Sequence, residues 1–165
     1  MSEFKEQLSV ANQYERWIAQ GFKNVIEFNN DNRYDFKTED GTTYEVKHDF
    51  QTETNNIAIE FECRNKPSCI SVTIADYFIF IFPLLNEVWK IKTEKLKKLI
   101  KDFKQGLNEE NWTSELYYRD NVAGGDYEEK YKGKVSRLHL MRREDVQSHF
   151  KVLKCKNIPD FKNDI

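Results

Sequence analysis

The stretch YDFKTEDGTTYEVK, positions 34 to 47, constrains the fold more than any other part of the chain. It reads as two short strands joined by a tight turn. Register then decides which side chains meet, because a slip of one residue moves a side chain to the other face of the sheet. A two-residue loop at Asp40-Gly41 sets Phe36 against Glu45. A three-residue loop, Glu39-Asp40-Gly41, sets Asp35 against Glu45 instead. The longer loop is a type I turn followed by a glycine in the left-handed conformation, a common hairpin connection. We expect that form. Along the second strand Glu45 and Lys47 share one face, and Tyr44, Val46 and His48 share the other.

The expected register has a chemical consequence. Opposed side chains on paired strands lie roughly 5 Å apart at Cβ. Two carboxylates that close repel, so one takes up a proton or both need a cation. A hard divalent ion with oxygen ligands, Mg²⁺ or Mn²⁺, resolves the conflict. Lys47 beside it can orient or polarise an attacking water and neutralise charge developing on a phosphate. The same spacing also fits an exposed hairpin with ordinary surface charges, so the rest of the chain has to decide.

At 165 residues the chain is long enough for one domain with a real core. It has no apolar run of membrane-spanning length and no secretory leader pattern. The most apolar stretch, residues 74 to 82, is strand length. Cys63, Cys69 and Cys155 are odd in number and lack C-x-x-C spacing. This suits reduced thiols in a cytoplasmic protein. The net charge of -2 favours no particular partner. Its distribution is uneven: residues 1 to 80 hold 8 Lys/Arg and 14 Asp/Glu, and residues 81 to 165 hold 18 and 14. An acidic half carrying a metal site and a basic half gripping phosphates fits this pattern, as does uneven surface charge.

Taken in order, residues 3 to 20 read as a helix capped by Ser2 and ended by Gly21. Phe4, Leu8, Ala11 and Ile18 form its apolar stripe. Glu15 fills the gap in that stripe. A carboxylate there needs a partner or a cation to offset its desolvation. It either reaches the hairpin site or pairs with Arg16 or a lysine. Residues 24 to 28 read as a strand, followed by a turn cluster at residues 29 to 32. Residues 57 to 63 alternate as a strand, with Ile57, Ile59, Phe61 and Cys63 on one face and Glu60 and Glu62 on the other. Glu60 is either a support for Lys47 or a solvated charge. Arg64 to Ser68 form a basic loop able to contact phosphates. Residues 73 to 77 read as a short helix or turn, residues 78 to 82 as a strand closed by Pro83, and residues 87 to 92 as another strand.

Thr93 caps an expected helix over residues 94 to 104, buried through Leu96, Leu99, Ile100 and Phe103, with its lysines on a solvated face. Residues 105 to 134 read as turn-rich, with Gly124-Gly125 at a bend. Trp112, Tyr117, Tyr118, Tyr127 and Tyr131 there are able to stack on bases or to pack the loop down. Residues 135 to 140 read as a last strand and residues 144 to 151 as a helix. The polar tail after Ile158 reads as frayed.

The chain has no phosphate-binding G-x-x-x-x-G-K-[ST] loop, no G-x-G-x-x-G, no G-x-S-x-G and no H-E-x-x-H. His48, His139 and His149 are scattered. The order that remains is a helix with an in-line glutamate, an aspartate on one strand and Glu-x-Lys on the next, then a further strand. It resembles the PD-(D/E)XK nuclease superfamily. The glutamate on the first helix is similar to the arrangement in archaeal Holliday-junction resolvases and small phage or viral endonucleases. The stretch IEFECRNKPSCISVTIADYFIF is similar to the segment after the catalytic lysine in small phage-type members. The resemblance covers residues 3 to 92.

That resemblance implies metal ligation by Asp35, Glu45 and the Val46 carbonyl, Lys47 as the catalytic lysine, and Glu15 as a further acid at or behind the metal. Substrate contacts are expected from Arg64, Lys66, Ser68 and Thr73 on and after the basic loop. Tyr34 stands where the family usually has proline. Cys69 and Ile74 stand where a glycine and a lysine are expected. The expected fold is a single α/β domain, residues 1 to 165, with a central mixed sheet flanked by helices. It has a restriction-endonuclease-like core over residues 3 to 104 and an extension over residues 105 to 165. The expected function is a Mg²⁺- or Mn²⁺-dependent endonuclease acting on DNA, branched DNA included, with no membrane association. Symmetric cutting of two strands would suit a homodimer. The rival readings are an RNA endonuclease and a non-catalytic nucleic-acid or protein-binding module on the same fold.

Overall fold

The structure is a computed structural model and describes residues 3–29, 33–50, 52–104, 117–122 and 135–163. It opens with helix α1 (Glu3–Gln20) and an antiparallel meander of β1 (Val25–Phe28), β2 (Phe36–Thr38) and β3 (Thr43–His48). The chain then leaves through β4 (Asn56–Cys63) and the short β5 (Lys66–Pro67). It returns as β6 (Tyr77–Phe82), β7 (Glu87–Lys92) and helix α2 (Thr93–Lys104). Beyond these lie β8 (Tyr117–Val122), β9 (Val135–Arg142), the single turn α3 (Arg143–Val146) and β10 (Lys151–Lys154). No helix among the described residues is long and apolar enough to cross a membrane.

The fold is mixed α/β, with two sheets where one was expected. The larger has the order β1-β2-β3-β6-β7-β10, and the smaller β5-β4-β9-β8. β3 and β6 pair in parallel, while the other pairs in the larger sheet are antiparallel. A parallel pair needs a long crossover, usually a helix. Here the crossover runs through β4 and β5, which pair away from the main sheet.

The expected hairpin register holds. Phe36 faces Tyr44 and Lys37 faces Thr43. The Thr38 N–H donates to the Thr42 carbonyl at 3.0 Å, which leaves residues 39 to 41 as the loop. Gly41 has φ of 85°, the left-handed region that glycine enters without a Cβ penalty. β6 sits at the centre and is buried on both faces. Ile79 and Ile81 pack with Ile18 and Ala19 of α1 and with Tyr44 and Val46 of β3. Phe78, Phe80 and Phe82 pack on the other face with Leu96, Leu99 and Ile100 of α2 and with Ile57 and Ile59 of β4. The strict alternation sorts the two cores.

Helix α1 ends at Gln20, directly before Gly21, as expected. Gly21 is also held to glycine by space, since an added Cβ would lie 2.4 Å from the Phe161 ring. Other local expectations need correction. The tail is not frayed as far as residue 163: Ile158 and Phe161 are buried in the α1-side core, and Asn163 N–H reaches the Gly21 carbonyl at 3.0 Å. Apolar residues at three-residue spacing in a polar segment were enough to dock it. The Thr93 hydroxyl donates to the Ala75 carbonyl at 2.6 Å instead of capping α2. The helix expected at 144 to 151 is one turn of α-helix and a 3-10 turn (Gln147–His149), followed by β10 against β7. A register shift between Glu60 and Glu62 interrupts the alternation of β4. The Ser2 cap, Gly124-Gly125, Trp112, Tyr127 and Tyr131 lie outside the described residues. Tyr117 and Tyr118 lie on β8.

Candidate active site

The first strand of the hairpin ends where its chemistry begins. At Asp35 the side chain takes over the pairing: its Oδ2 accepts from the Val46 N–H at 2.6 Å, while its own N–H donates to the Tyr44 carbonyl at 2.8 Å. Alternation along β3 sends the Val46 N–H and C=O to the same edge, so the Val46 carbonyl faces the side on which Asp35 lies. The hairpin register, carried one residue further, sets Asp35 opposite Glu45.

Glu45 is 5 % exposed. Its Oε1 meets Lys47 Nζ at 2.6 Å, the contact expected of residues two apart on one face of a strand. The Lys47 side chain keeps 41 % of its surface exposed, so the pair joins a buried acid to a partly exposed lysine. Glu15 joins them from α1. Burial raises the pKa of Glu15, with Lys47 lowering it and Glu45 raising it further. The helix therefore does bring its in-line carboxylate to the hairpin. Arg16 also acts on Glu15, so the two sequence alternatives coexist.

The electrostatics are those of an overcrowded acid site. Asp35 is pushed up to about 7, first by burial, then by Glu45, with Glu15 adding to it and Lys47 and the Val46 N–H opposing. Burial disfavours the Lys47 ammonium, but Cys69, Glu45 and Asp35 together hold its pKa above the ordinary lysine value. Glu45 thus pairs with the one ammonium while Asp35 and Glu15 act on it through the field, an arrangement able to take up a proton or a cation.

The expected substrate contacts divide. Arg64 and Asn65 have φ of 52° and 60° and form the two-residue turn between β4 and β5, where Cys63 faces Lys66. Arg64 and Lys66 are exposed there and available to a phosphate. Ser68 donates its hydroxyl to Glu60 Oε1. Thr73 is buried at 8 % exposure. Its hydroxyl donates to the Arg33 carbonyl at 3.1 Å and accepts from the Ala75 N–H at 3.0 Å. Thr73 therefore fixes the loop and does not face substrate.

Cys69 was missed as a member of this neighbourhood. Its φ is 45°, the conformation that glycine adopts most readily, at the position where the resemblance expects glycine. Burial pushes its thiol up to about 12, against Lys47, which lowers it. Only the return of the chain after the β4–β5 turn brings it beside Lys47, and no spacing rule carries that information. His48 is packed: it stacks on Tyr14 with centroids 5.1 Å apart, and burial lowers its pKa.

Whether a metal fits can be tested on the donors. They are hard oxygen ligands with surplus negative charge, which suits Mg²⁺ or Mn²⁺. Among the described residues no three His, Cys, Asp or Glu side chains come together as a metal-holding group. Asp35, Glu45 and the Val46 carbonyl are the groups that would hold such an ion, with water completing its shell. No protein-family model, curated protein or solved structure matches this chain.

Proposed function

We propose that this protein is a metal-dependent endonuclease of the PD-(D/E)XK type that hydrolyses phosphodiester bonds in DNA. The observation that carries this reading is the meeting of Asp35, Glu45, Lys47 and Glu15 from two strands and a helix around one partly open ammonium–carboxylate pair. The parallel pairing of β3 with β6 after an antiparallel meander supports a restriction-endonuclease-like core. The crossover between them runs through β4, the strand expected over residues 57 to 63.

In this reading Asp35, Glu45 and the Val46 carbonyl hold a divalent ion, with Glu15 behind it. Such an ion, when bound, supplies Lewis acidity toward the phosphate and lowers the pKa of a bound water. Lys47 places its ammonium against the phosphate oxygens and orients the water for in-line attack. Glu45 fixes the direction of Lys47 by their ion pair. Arg64 and Lys66 on the β4–β5 turn grip the strand away from the cut.

The test is cleavage of four-way-junction, flap, duplex and single-stranded DNA, and of RNA, with Mg²⁺ or Mn²⁺. Cutting that disappears with chelator and with Lys47→Ala is the expected result. Cutting of RNA alone would change the substrate class. The open donor set favours one rival, a non-catalytic binding module on this fold. Absence of both cutting and metal binding would establish that rival.

A further inference from the structure

Beside Lys47 lies a cavity of about 270 Å³ that the proposed hydrolysis does not use. Its apolar lining includes Ile57 and Ile59 of β4 and Phe78 and Phe80 of β6. Its polar lining includes Lys47, Glu60 and Cys69. The space far exceeds the ~10–15 Å³ that one water needs. It falls just below the roughly 300–1,000 Å³ of pockets that take drug-sized ligands. A flat group of one or two fused rings is the right scale.

The polar group that would orient such a ring is Glu60. One of its oxygens accepts the Ser68 hydroxyl, and a carboxylate has a second oxygen to offer. An ionised carboxylate is an acceptor only, so it selects for a ligand donor. The register shift in β4 lies directly after Glu60, a device that re-aims side chains near functional sites. Lys47 lines this cavity and also pairs with Glu45, so a ligand here touches the candidate active site.

We propose that this cavity receives one unpaired nucleobase of the substrate strand, beside the bond to be cut, and that Glu60 selects bases whose amino group stands where thymine carries its O4 oxygen, cytosine and adenine over thymine. The inference rests on the nuclease reading for its occupant. Apolar and aromatic walls with hydrogen bonds at the base edge are how proteins hold a base out of its stack. A carboxylate accepts from the cytosine amino group, whereas thymine offers an oxygen acceptor at the same position. The substrate class is therefore DNA with unpaired residues at the cut: a single strand, a flap or a bulge.

The experiment has a binding arm and a cleavage arm, both on the full chain. In the first, dCMP, dAMP and dTMP are titrated into the wild type, Glu60→Gln and Lys47→Ala, followed by ligand-observed NMR. Wild type is expected to bind dCMP and dAMP about tenfold more tightly than dTMP, and Glu60→Gln to bring the three within about twofold. Lys47→Ala should keep the preference for the amino bases. In the second arm, single-stranded oligonucleotides differing only in the base beside the cut should show the same ranking in kcat/KM, lost in Glu60→Gln. Equal binding of the three nucleotides, or a preference that survives Glu60→Gln, would overturn the proposal. If wild type cuts nothing yet shows the tenfold preference, the base pocket stands and the nuclease reading falls.

Discussion

The two ends of the β2–β3 hairpin treat their carboxylates in opposite ways. At the turn, Asp40 accepts from the Thr38 hydroxyl at 2.6 Å and the Thr42 N–H at 3.0 Å, and these bonds hold its pKa below the ordinary value. Nearby, Asp76 accepts from the Thr43 N–H at 2.9 Å and its hydroxyl at 3.1 Å. At the other end Asp35 also takes a backbone N–H, yet burial, Glu45 and Glu15 push it up to about 7. A carboxylate surrounded by donors is a strut. Carboxylates crowded around one ammonium are a place where a cation or a proton has work to do.

The largest expected effects follow from breaking the crowded end. Asp35→Asn and Glu45→Gln should each remove metal-dependent cleavage by about 10³-fold or more. Lys47→Ala should cost about 10²–10³-fold, the scale of losing one preorganised charge-stabilising donor. Single-turnover rates with saturating Mn²⁺ would measure all three, with circular dichroism to show the fold retained. If Asp40→Asn lowered the rate as much as Asp35→Asn, the contrast between the two ends would fail.

A second effect is on stability. The folded pKa of Asp35, about 7, lies above its ordinary value of 3.8. Its contribution is therefore fully present below about pH 4 and is lost as pH rises through 7. The metal-free protein should be less stable at pH 8 than at pH 5, by on the order of 2–4 kcal/mol from this group. Mg²⁺ should restore stability at pH 8 and do little at pH 5. Asp35→Asn should flatten both dependences. Urea titrations at the two pH values, with and without Mg²⁺, read this directly, and a pH-independent midpoint would contradict the crowding.

The site end was legible because its information is local. Gly41 in the left-handed conformation fixes a three-residue loop, the loop fixes register, and register sets Asp35 against Glu45. The α2 stripe of Leu96, Leu99, Ile100 and Phe103 was readable for the same reason, as was Glu15 on its helix. What stayed hidden depends on distant partners. β4 pairs with β9, whose Leu138 faces Glu60 across a long sequence gap, and nothing in either segment announces a second sheet. Lys151–Lys154 is too short for alternation to mark a strand until β7 is beside it. Hydroxyl partners such as Ala75 for Thr93 and Arg33 for Thr73 are likewise set by the finished fold.

Glu15 provides a finer test of where the crowded end stops. It belongs to the cluster electrostatically but comes from α1, and Arg16 competes for it. Glu15→Gln should reduce cleavage by about tenfold, less than loss of a direct ligand, and should weaken metal binding by a similar factor, within the 10–100-fold seen for groups behind a metal ligand. Isothermal titration with Mn²⁺ and cleavage rates would show the two falling together. A variant with wild-type metal affinity and rate would move the boundary of the site to the hairpin alone.

The smallest expected effect tests the turn end. Asp40 is fully exposed and Asn keeps an oxygen able to accept from Thr38 and Thr42, so Asp40→Asn should shift Tm by about 2 °C or less and leave cleavage unchanged. The sign of its pH dependence is the sharper observation. A carboxyl whose folded pKa is lowered contributes stability above its unfolded pKa and loses it as pH falls through the folded one. The difference between wild type and Asp40→Asn should therefore grow as pH rises toward about 4 and level off above it, while that between wild type and Asp35→Asn shrinks as pH rises toward 7. Melting curves of the two variants at pH 3, 5 and 8 would reveal the opposed slopes. If both variants changed in the same direction, the donors at the turn and the crowding at the site would not be setting these two aspartates as their contacts require.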